Sequence, residues 1–313
     1  MKKIILGSTG IEVTELCFGA LPMGPAQKNM PTEESAEVVA EALRLGVNFI
    51  DTAQIYKTYE PIRMAIEKTG ITPVIATKAP AVDYAGMETA VHEALEKLAL
   101  DKIDIFLIHA ARATEKVFEE RKGAWECLLE YKSKGKIKAV GISTHNAKVA
   151  KISAERADVD VIFPILNKTG MGILDGTRED MEDAIRRCFA QDKGVYLMKI
   201  LAGGNLIADY ISAMEYGRGF ADGKAAVALG MVSVDEVRMN INYFNGADIS
   251  NQIKNLSKSS KQFYIVPTLC RQCGECAKAC HSDAITDSVI DKNKCLQCGY
   301  CVTACREFAI RMI

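Results

Sequence analysis

The chain has 313 residues, of which 49% are hydrophobic and 25% are charged, so it can hold one large domain and a small one. Its formal net charge is -1 and it has no long block of lysine and arginine, which argues against nucleic acid and anionic membranes as partners. The amino terminus is too poor in apolar residues for a signal peptide, and no apolar run reaches the roughly 18 residues that span a bilayer. We therefore expect a cytoplasmic protein.

In chain order, the first segment is KKIILGSTGIEV, which predicts a small hairpin that turns at Ser8, Thr9 and Gly10. Eight short apolar runs follow, separated by stretches with helical periodicity. The predicted helices include Thr32–Leu45, Met87–Leu98 and Met181–Gln191. The predicted strands are Leu16–Ala20, Asn48–Ala53, Val74–Ala79, Ile103–Ala110, Lys138–Ser143, Val159–Leu166, Val195–Leu201 and Val227–Met231.

Most of these strands are almost unbroken apolar runs, such as IDIFLIHA and VDVIFPIL, which is typical of parallel strands buried on both faces. Eight strand–helix units in about 245 residues fit an α/β fold of the (β/α)8 TIM barrel type, for which about 250 residues are usual. An open doubly wound sheet is the alternative, but FGALPMGP after the first strand lacks its G-x-G-x-x-G phosphate loop. The sequence thus predicts a barrel over residues 1–246, with the hairpin closing its bottom.

The composition changes after the barrel. Residues 247–263 begin with the polar run ADISNQIKNLSKSSK and are predicted to be a linker. Residues 264–313 hold eight of the eleven cysteines, whereas Cys17, Cys127 and Cys188 are scattered through the rest of the chain. Because a disulfide-stapled secreted domain would not distribute its cysteines in this way, the cysteines of the last segment are expected to bind a cofactor.

The last segment contains two copies of a C-x-x-C-x-x-C-x-x-x-C motif. Three cysteines within seven residues, twice over, favour iron–sulfur clusters over structural zinc, which more often uses two separated C-x-x-C pairs. Leu269–Ile310 closely resembles the bacterial two-cluster ferredoxins. The resemblance implies a small α+β ferredoxin-like domain with two [4Fe-4S] clusters, in which the fourth cysteine of each run binds the other cluster. One cluster would then be held by Cys270, Cys273, Cys276 and Cys305, and the other by Cys295, Cys298, Cys301 and Cys280.

Polar residues end three consecutive predicted strands of the barrel: Asp51, Lys78 and His109. Chemistry in such barrels takes place at this end, and neighbouring strands lie only about 4.8 Å apart, so the three side chains can converge. Tyr56 follows on the same loop as Asp51 and can bend back over them. The alternative is structural, with a buried ion pair, a core histidine and a rim aromatic.

As a catalytic unit, these residues would perform acid catalysis. Tyr56 would donate the proton, with its pKa lowered by the nearby cation of Lys78. Asp51 would neutralise and orient Lys78. His109 would donate a hydrogen bond to the substrate oxygen and stabilise the negative charge that develops as a carbonyl is reduced.

Four segments resemble the aldo-keto reductase family: GVNFIDTAQIY, the TK of VIATKAP, the IH of IDIFLIHA and the GIS of VGISTHN. The resemblance extends over residues 1 to about 245, and it implies a barrel. It places the family's Asp, Tyr, Lys and His tetrad on the four residues above. It also implies NAD(P)H-linked reduction of a carbonyl, with hydride from the nicotinamide and a proton from Tyr56. The nucleotide contacts predicted on this basis are Gly19, Ser143, Asn167, Lys199 and Gly203, of which the last two lie in VYLMKILAGGN, a stretch similar to the family's diphosphate-binding region.

The sequence departs from the family where the nicotinamide nucleotide should bind. Thr144 stands where the family usually has an Asn, and Phe163 falls near the position of a Gln. Two of the side chains that usually bind the nicotinamide carboxamide are therefore missing. After the last strand, Asp235 and Glu236 stand where NADPH-using members present Lys or Arg, and acidic groups there would repel a phosphate. NADH, weak binding or no nicotinamide are therefore alternatives, and flavin is not excluded. Lys199 could equally pair with a barrel carboxylate.

Three functional hypotheses follow. The first is an oxidoreductase that reduces a carbonyl or related small molecule at the barrel mouth, with electrons passed through the two clusters from a ferredoxin or flavoprotein partner. In aldo-keto reductases the segment after the last barrel helix crosses near the mouth of the barrel. In this sequence that segment leads into the ferredoxin-like domain, and the first hypothesis rests on this position. The second is a conventional NAD(P)H-dependent enzyme with structural or partner-linked clusters, although hydride moves two electrons together and clusters pass them singly. The third is an electron carrier or redox sensor on a non-catalytic barrel, against which the four retained tetrad residues argue.

Overall fold

The structure, a computed structural model, describes residues 1–257 and 262–312. The amino-terminal hairpin packs at the bottom of the barrel. The Ser8 N–H donates to Asp192 O at 2.8 Å, and the side chain of Leu6 is fully buried against Gly194, at the start of a barrel strand. The hairpin therefore closes the amino-terminal end of the barrel, as the sequence predicts. Its strands are β1 (Lys3–Ile5) and β2 (Glu12–Thr14).

Eight parallel strands close into a barrel in which the last strand pairs with the first. The predicted TIM barrel is confirmed, and Val74–Ala79 has the predicted bounds. Other strands differ by a few residues at their ends; the strand predicted over Asn48–Ala53 is shorter because the chain turns after Asp51 into a 3-10 turn at Gln54–Tyr56. The barrel strands are β3 (Leu16–Gly19), β4 (Phe49–Asp51), β5 (Val74–Ala79), β6 (Ile103–His109), β7 (Ile137–Thr144), β8 (Val161–Pro164), β9 (Gly194–Met198) and β10 (Ala225–Gly230).

Helices surround the barrel; the first predicted helix starts at Thr32 as expected, whereas the other two predicted helices start three residues earlier than the apolar periodicity indicates. The third helix starts at Tyr84 rather than Met87 because the Asp83 carboxylate caps it, accepting the Gly86 N–H at 2.8 Å. Among the described residues no helix is long and apolar enough to cross a membrane. The helices are α1 (Thr32–Arg44), α2 (Tyr59–Thr69), α3 (Tyr84–Leu98), α4 (Val117–Glu120), α5 (Lys122–Ser133), α6 (Ala147–Glu155), α7 (Arg178–Ala190), α8 (Tyr210–Ala221), α9 (Val234–Phe244) and α10 (Ser250–Ser257).

The predicted linker, residues 247–263, contains helix α10, and Ile249 just before this helix is buried in the barrel core. Residues 258–261 of the linker lie outside the described residues. The ferredoxin-like domain (residues 264–313) has two short antiparallel strand pairs, one of which begins within the predicted linker, and two one-turn helices, so its described part is α+β. Its elements are β11 (Phe263–Ile265), α11 (Glu275–Lys278), β12 (Ile285–Thr286), β13 (Val289–Ile290), α12 (Tyr300–Ala304) and β14 (Ile310–Met312), with β11 paired to β14 and β12 to β13.

Candidate active site and cysteine-lined domain

Lys78 and Asp51 form a buried ion pair at the carboxyl ends of β5 and β4. Lys78 Nζ lies 2.8 and 2.7 Å from the two carboxylate oxygens and donates to Thr52 O at 2.8 Å. The Tyr196 hydroxyl, on β9, donates to Asp51 Oδ1 at 3.0 Å. Burial raises the pKa of Asp51 and lowers that of Lys78, each opposed by the charge of the partner. Removing either partner would therefore leave the charge of the other one buried in the barrel without a partner.

Tyr56 and His109 complete the group predicted from the sequence. The 3-10 turn after β4 brings the Tyr56 ring over the ion pair, with Lys78 Nζ 4.7 Å from the ring centroid. The rings of Tyr56 and His109 meet edge to face, with their centroids 5.7 Å apart. All four side chains of the tetrad thus converge at one rim of the barrel, and Tyr56 is only 8% exposed.

The pKa of Tyr56 is shifted in the direction opposite to the one expected. We predicted that Lys78 would lower this pKa, but burial and the nearby charge of Asp51 raise it well above its ordinary value. Burial is the larger cause, and the Lys78 ammonium is hydrogen-bonded to both oxygens of Asp51. Tyr56 consequently stays protonated, as a proton donor must before it reacts.

His109 is neutral and has an unused ring nitrogen. Burial, followed by the charges of Lys78, Lys199 and Arg121, holds its pKa well below the ordinary value. Its Nδ1 is buried and has no hydrogen-bond partner among the described residues. Since buried polar atoms in folded proteins are almost always paired, this ring is suited to a hydrogen bond with a bound substrate.

A stacked aromatic pair lines the pocket beside the tetrad. The ring of Phe163, on β8, lies 3.8 Å from that of Tyr196 with an interplanar angle of 13°, and Lys78 Nζ is 5.1 Å from the Phe163 ring centroid. The sequence analysis missed Tyr196. The available signal was a single hydroxyl inside the apolar strand GVYLM, but the sequence alone could not show which group it contacts.

Three of the predicted nucleotide contacts lie at or just beyond the carboxyl ends of barrel strands. Gly19 ends β3, where a Cβ would lie 3.2 Å from Leu229 O of β10. Ser143 is buried on β7. The Asn167 amide is held by its own loop, since its oxygen accepts the Met171 N–H at 3.0 Å and its nitrogen donates to Met171 O at 2.9 Å.

Lys199 and Gly203, the other two predicted contacts, lie under the carboxyl-terminal strand. A Cβ at Gly203 would lie 2.3 Å from Arg311 Cδ, and one at the neighbouring Gly204 would lie 2.0 Å from Met312 O. Both glycines have positive φ, of 63° and 89°. The stretch that resembles a diphosphate-binding region is therefore covered by β14, and only glycine fits there.

Lys199 has an uncommon environment for a lysine. Its backbone is left-handed, with φ 61°, and its Nζ lies 2.9 Å from His145 Nε2. Burial and the charges of Arg311, Lys78 and Arg112 hold its pKa well below the ordinary value. Among the described residues its hydrogen-bond partner is a histidine and not the barrel carboxylate that the sequence left open.

The segment after Cys305 joins the ferredoxin-like domain to the barrel mouth. Phe308 belongs to the hydrophobic core of the barrel, and its ring lies so close to Gly172 that a Cβ there would be 2.1 Å from it. Glu307 accepts hydrogen bonds from Arg112 of the barrel through its carboxylate and its backbone carbonyl. The Ala309 N–H points to Cys305 Sγ at 3.4 Å, so this segment starts at a predicted cluster ligand and continues into contacts with the barrel.

The cysteine side chains fall into two neighbourhoods. One small cavity is lined by Cys280, Cys295, Cys298 and Cys301, which combine one residue of the first run with three of the second. In the other, burial and the nearby Cys305 and Cys270 raise the pKa of Cys276. Four sulfurs around one cavity suit a [4Fe-4S] cluster, which is held by four thiolates.

Comparisons with known proteins agree with this architecture. A family model described as "Aldo/keto reductase family" matches residues 15–222, and one described as "4Fe-4S binding domain" matches residues 288–311. The fold and the site define an oxidoreductase that carries a [4Fe-4S]-binding domain. The first match covers most of the barrel and well over half of the chain, so the protein belongs to the aldo/keto reductase family.

Curated relatives match only part of the chain. L-galactose dehydrogenase of Arabidopsis thaliana is 27% identical over 190 residues, 56% of this chain and 59% of that protein. Glyoxal reductase of Bacillus subtilis is 31% identical over 140 residues, 43% of this chain and 48% of that protein. The chain therefore spans less than two thirds of the length of these relatives.

Solved structures share the fold. A putative aldo-keto reductase from Pseudomonas aeruginosa superposes with a TM-score of 0.65 at 22% identity, covering 78% of this chain and 94% of that one. An aldo-keto reductase from Bacillus halodurans superposes with a TM-score of 0.63 at 22% identity, covering 82% of this chain and 96% of that one.

Proposed function

We propose that the protein reduces a carbonyl or related small molecule at the barrel mouth, with electrons that pass through two [4Fe-4S] clusters and with Tyr56 as the proton donor. A ferredoxin or a flavoprotein would supply the electrons. The observation that supports this proposal is the packing of Phe308 and Arg311, which follow Cys305, on Gly172 and Gly203 in the loops after β8 and β9. A cluster that uses Cys305 would then lie on the same side of the barrel as the tetrad.

The proposed reduction balances with two electrons and two protons. The clusters supply single electrons in succession. As the carbonyl oxygen gains electron density it becomes basic enough to take the proton of Tyr56, even though the pKa of this phenol is raised. His109 donates a hydrogen bond to the same oxygen, and water supplies the second proton, which goes to carbon.

Several contacts support cluster-borne electrons over a bound nicotinamide. Strand β14 lies on Gly203 and Gly204, where the family resemblance implies a diphosphate. The Thr144 hydroxyl accepts the N–H of Asn146 at 2.9 Å, within its own turn. After the last strand, the Glu236 carboxylate accepts the Val232 N–H at 2.8 Å at the start of α9.

The test uses anaerobic, cluster-loaded protein. We expect dithionite-reduced clusters, freed of reductant, to be re-oxidised by a small aldehyde or oxo acid with one product formed per two electrons. We also expect no binding of NADPH or NADH in a calorimetric titration. Micromolar binding of either, about -8 kcal/mol, together with turnover, would instead support a conventional reductase.

Replacement of Tyr56 by Phe distinguishes the hypothesis of an enzyme from that of an electron carrier. This variant removes the proton donor while leaving the ring in place, so turnover should fall by about 10² to 10⁴-fold. Cluster absorbance and the exchange of electrons with a ferredoxin should not change. Equal turnover in the variant and the parent would show that Tyr56 is not the donor.

A further inference from the structure

Two cations at the barrel mouth are paired with a carboxylate. Lys78 is held by Asp51, and Arg112 is held by Glu307. A pair of this kind has little charge left for a ligand, because each cation already has an anion within hydrogen-bond distance.

Lys199 and Arg311 differ from these cations. Their hydrogen bonds among the described residues go to neutral acceptors, His145 Nε2 at 2.9 Å for Lys199 and Ile310 O at 3.2 Å for Arg311. The two cations share one aromatic ring, since Lys199 Nζ is 5.8 Å and Arg311 Cζ is 3.7 Å from the Phe308 ring centroid. Two neighbouring positive charges that have no carboxylate within hydrogen-bond distance among the described residues are unfavourable in a buried site, and an anionic ligand would relieve this repulsion.

Arg311 also has an unused donor. It is only 3% exposed, and its Nη2 has no hydrogen-bond partner among the described residues. Burial lowers its pKa to about 10, opposed by the charge of the nearby Cys305 and aided by that of Arg112. A buried guanidinium keeps its charge, so a free N–H there is expected to face an acceptor that arrives with a ligand.

The position of Lys199 and Arg311 relative to the tetrad indicates a ligand with a carbonyl at one end and an anionic group at the other. Lys199 Nζ contacts His145, whose backbone N–H donates to Ala111 O at 3.2 Å, two residues after His109, so Lys199 lies on the same rim as the tetrad. A molecule with its carbonyl at Tyr56 and His109 could therefore extend an anionic group toward Lys199 and Arg311.

We propose that Lys199 and Arg311 bind an anionic group of the substrate, a carboxylate or a phosphate, while its carbonyl lies at Tyr56 and His109. This inference rests on the proposed function for the position of the carbonyl. The barrel contributes Lys199 and the ferredoxin-like domain contributes Arg311, so the second domain completes the substrate site. The substrates would be oxo acids or phosphorylated carbonyl compounds.

The test is calorimetric binding to oxidised, cluster-loaded, full-length protein, which needs no electron supply. Two pairs of probes differ only in charge at one end: pyruvate with methyl pyruvate, and dihydroxyacetone phosphate with dihydroxyacetone. We expect the anionic member of one pair to bind at least about tenfold more tightly, which is the effect of one charge-assisted hydrogen bond. The pair that shows this preference identifies the anion as carboxylate or phosphate.

Substitutions then test whether the tighter binding of the anionic probe depends on Lys199 and Arg311. Arg311→Met and Lys199→Met should each remove it, whereas Arg311→Lys should retain most of it and the exposed control Arg186→Met should retain all of it. Equal binding of charged and neutral probes to the parent protein would overturn the proposal. So would a preference that survives in both Met variants, or NADPH binding that depends on Arg311 and displaces the anion.

Cluster absorbance and the melting temperature verify that each variant is folded. If Arg311→Met loses its clusters, the binding measurement on Lys199→Met tests the proposal, because Lys199 lies on the barrel and outside the cysteine-bearing domain. Absence of turnover with any carbonyl would contradict the proposed function but would leave the binding measurement intact, so the two failures can be told apart.

Discussion

The barrel and the ferredoxin-like domain are stabilised in different ways. The barrel buries one continuous apolar core that also takes in Phe308. Among the described residues, the ferredoxin-like domain together with Phe263 has a separate core of seven buried residues, one of them Cys301, while Leu296 is 74% exposed and Tyr300 is 55% exposed. A domain of about 50 residues rarely buries enough apolar surface to fold alone. Side-chain packing therefore maintains the barrel, whereas the second domain is expected to depend on the [4Fe-4S] binding that its family match indicates.

The largest effect should come from removing a cluster ligand. Cys301→Ala is expected to lose one cluster, about four of roughly eight irons, and to unfold much of the ferredoxin-like domain, because the binding energy of a structural metal site is folding energy. The barrel should keep its own thermal transition. Iron analysis and circular dichroism melting measure both effects.

Cys188→Ala is the matched control, since Cys188 is buried in the barrel far from both cysteine runs in sequence. Its iron content should equal that of the parent. If Cys301→Ala keeps all its iron, the ligand assignment is wrong; if it melts like the parent, the ferredoxin-like domain does not depend on its clusters.

A second prediction concerns the barrel alone. Lys78→Met leaves Asp51 buried without its partner and should lower the free energy of unfolding by about 3–5 kcal/mol. Lys97→Met breaks a surface pair with Glu93, in which the lysine side chain is 52% exposed, and should cost less than about 1 kcal/mol. Urea denaturation at pH 7 compares them. Similar losses in the two variants would contradict the view that the tetrad ion pair is a buried structural element.

The third prediction concerns the contact between the two regions, where Phe308 packs on Gly172 of the barrel. Gly172→Ala places a Cβ 2.1 Å from the Phe308 ring and should weaken the docking of the segment 308–312 by about 1–3 kcal/mol. Gly246→Ala is the control, because it has a similar positive φ, 81° against 85°, but no atom within 4 Å of the added Cβ. Hydrogen exchange in β14 should rise in the first variant only. Unchanged exchange would mean that Phe308 does not anchor the domain.

The smallest effect is a pH dependence of barrel stability. Burial holds the pKa of His109 and His145 well below the ordinary value, so the unfolded chain binds more protons than the folded one near and below pH 6.5. Their contribution to stability is complete above about pH 6.5 and is lost as the pH falls, by up to about 1.4 kcal/mol per pH unit for each histidine. Urea midpoints of the parent and His109→Gln between pH 7.5 and 5 should show a shallower slope in the variant. Equal slopes would contradict a neutral His109 in the folded state.

Local patterns in the sequence predicted much of this protein. Apolar runs and helical periodicity gave eight strands in the observed order, since both follow from the geometry of single elements. The start of α7 at Arg178 was placed too late because a polar capped turn carries no apolar period. The tetrad residues were found because parallel strands bring their carboxyl ends to one rim.

By itself the sequence determined the barrel, the aldo/keto reductase resemblance and the cysteine-bearing domain, because each depends on spacing along the chain. Only the tertiary structure decided the environment of these residues. The raised pKa of Tyr56 follows from burial and from a lysine already engaged by Asp51. The packing of Arg311 on Gly203 joins two distant segments, as does the nearby hydrogen bond between Asn205 and Ile310, which are 105 residues apart. No local pattern encodes such contacts, because they form only when the separate elements pack together.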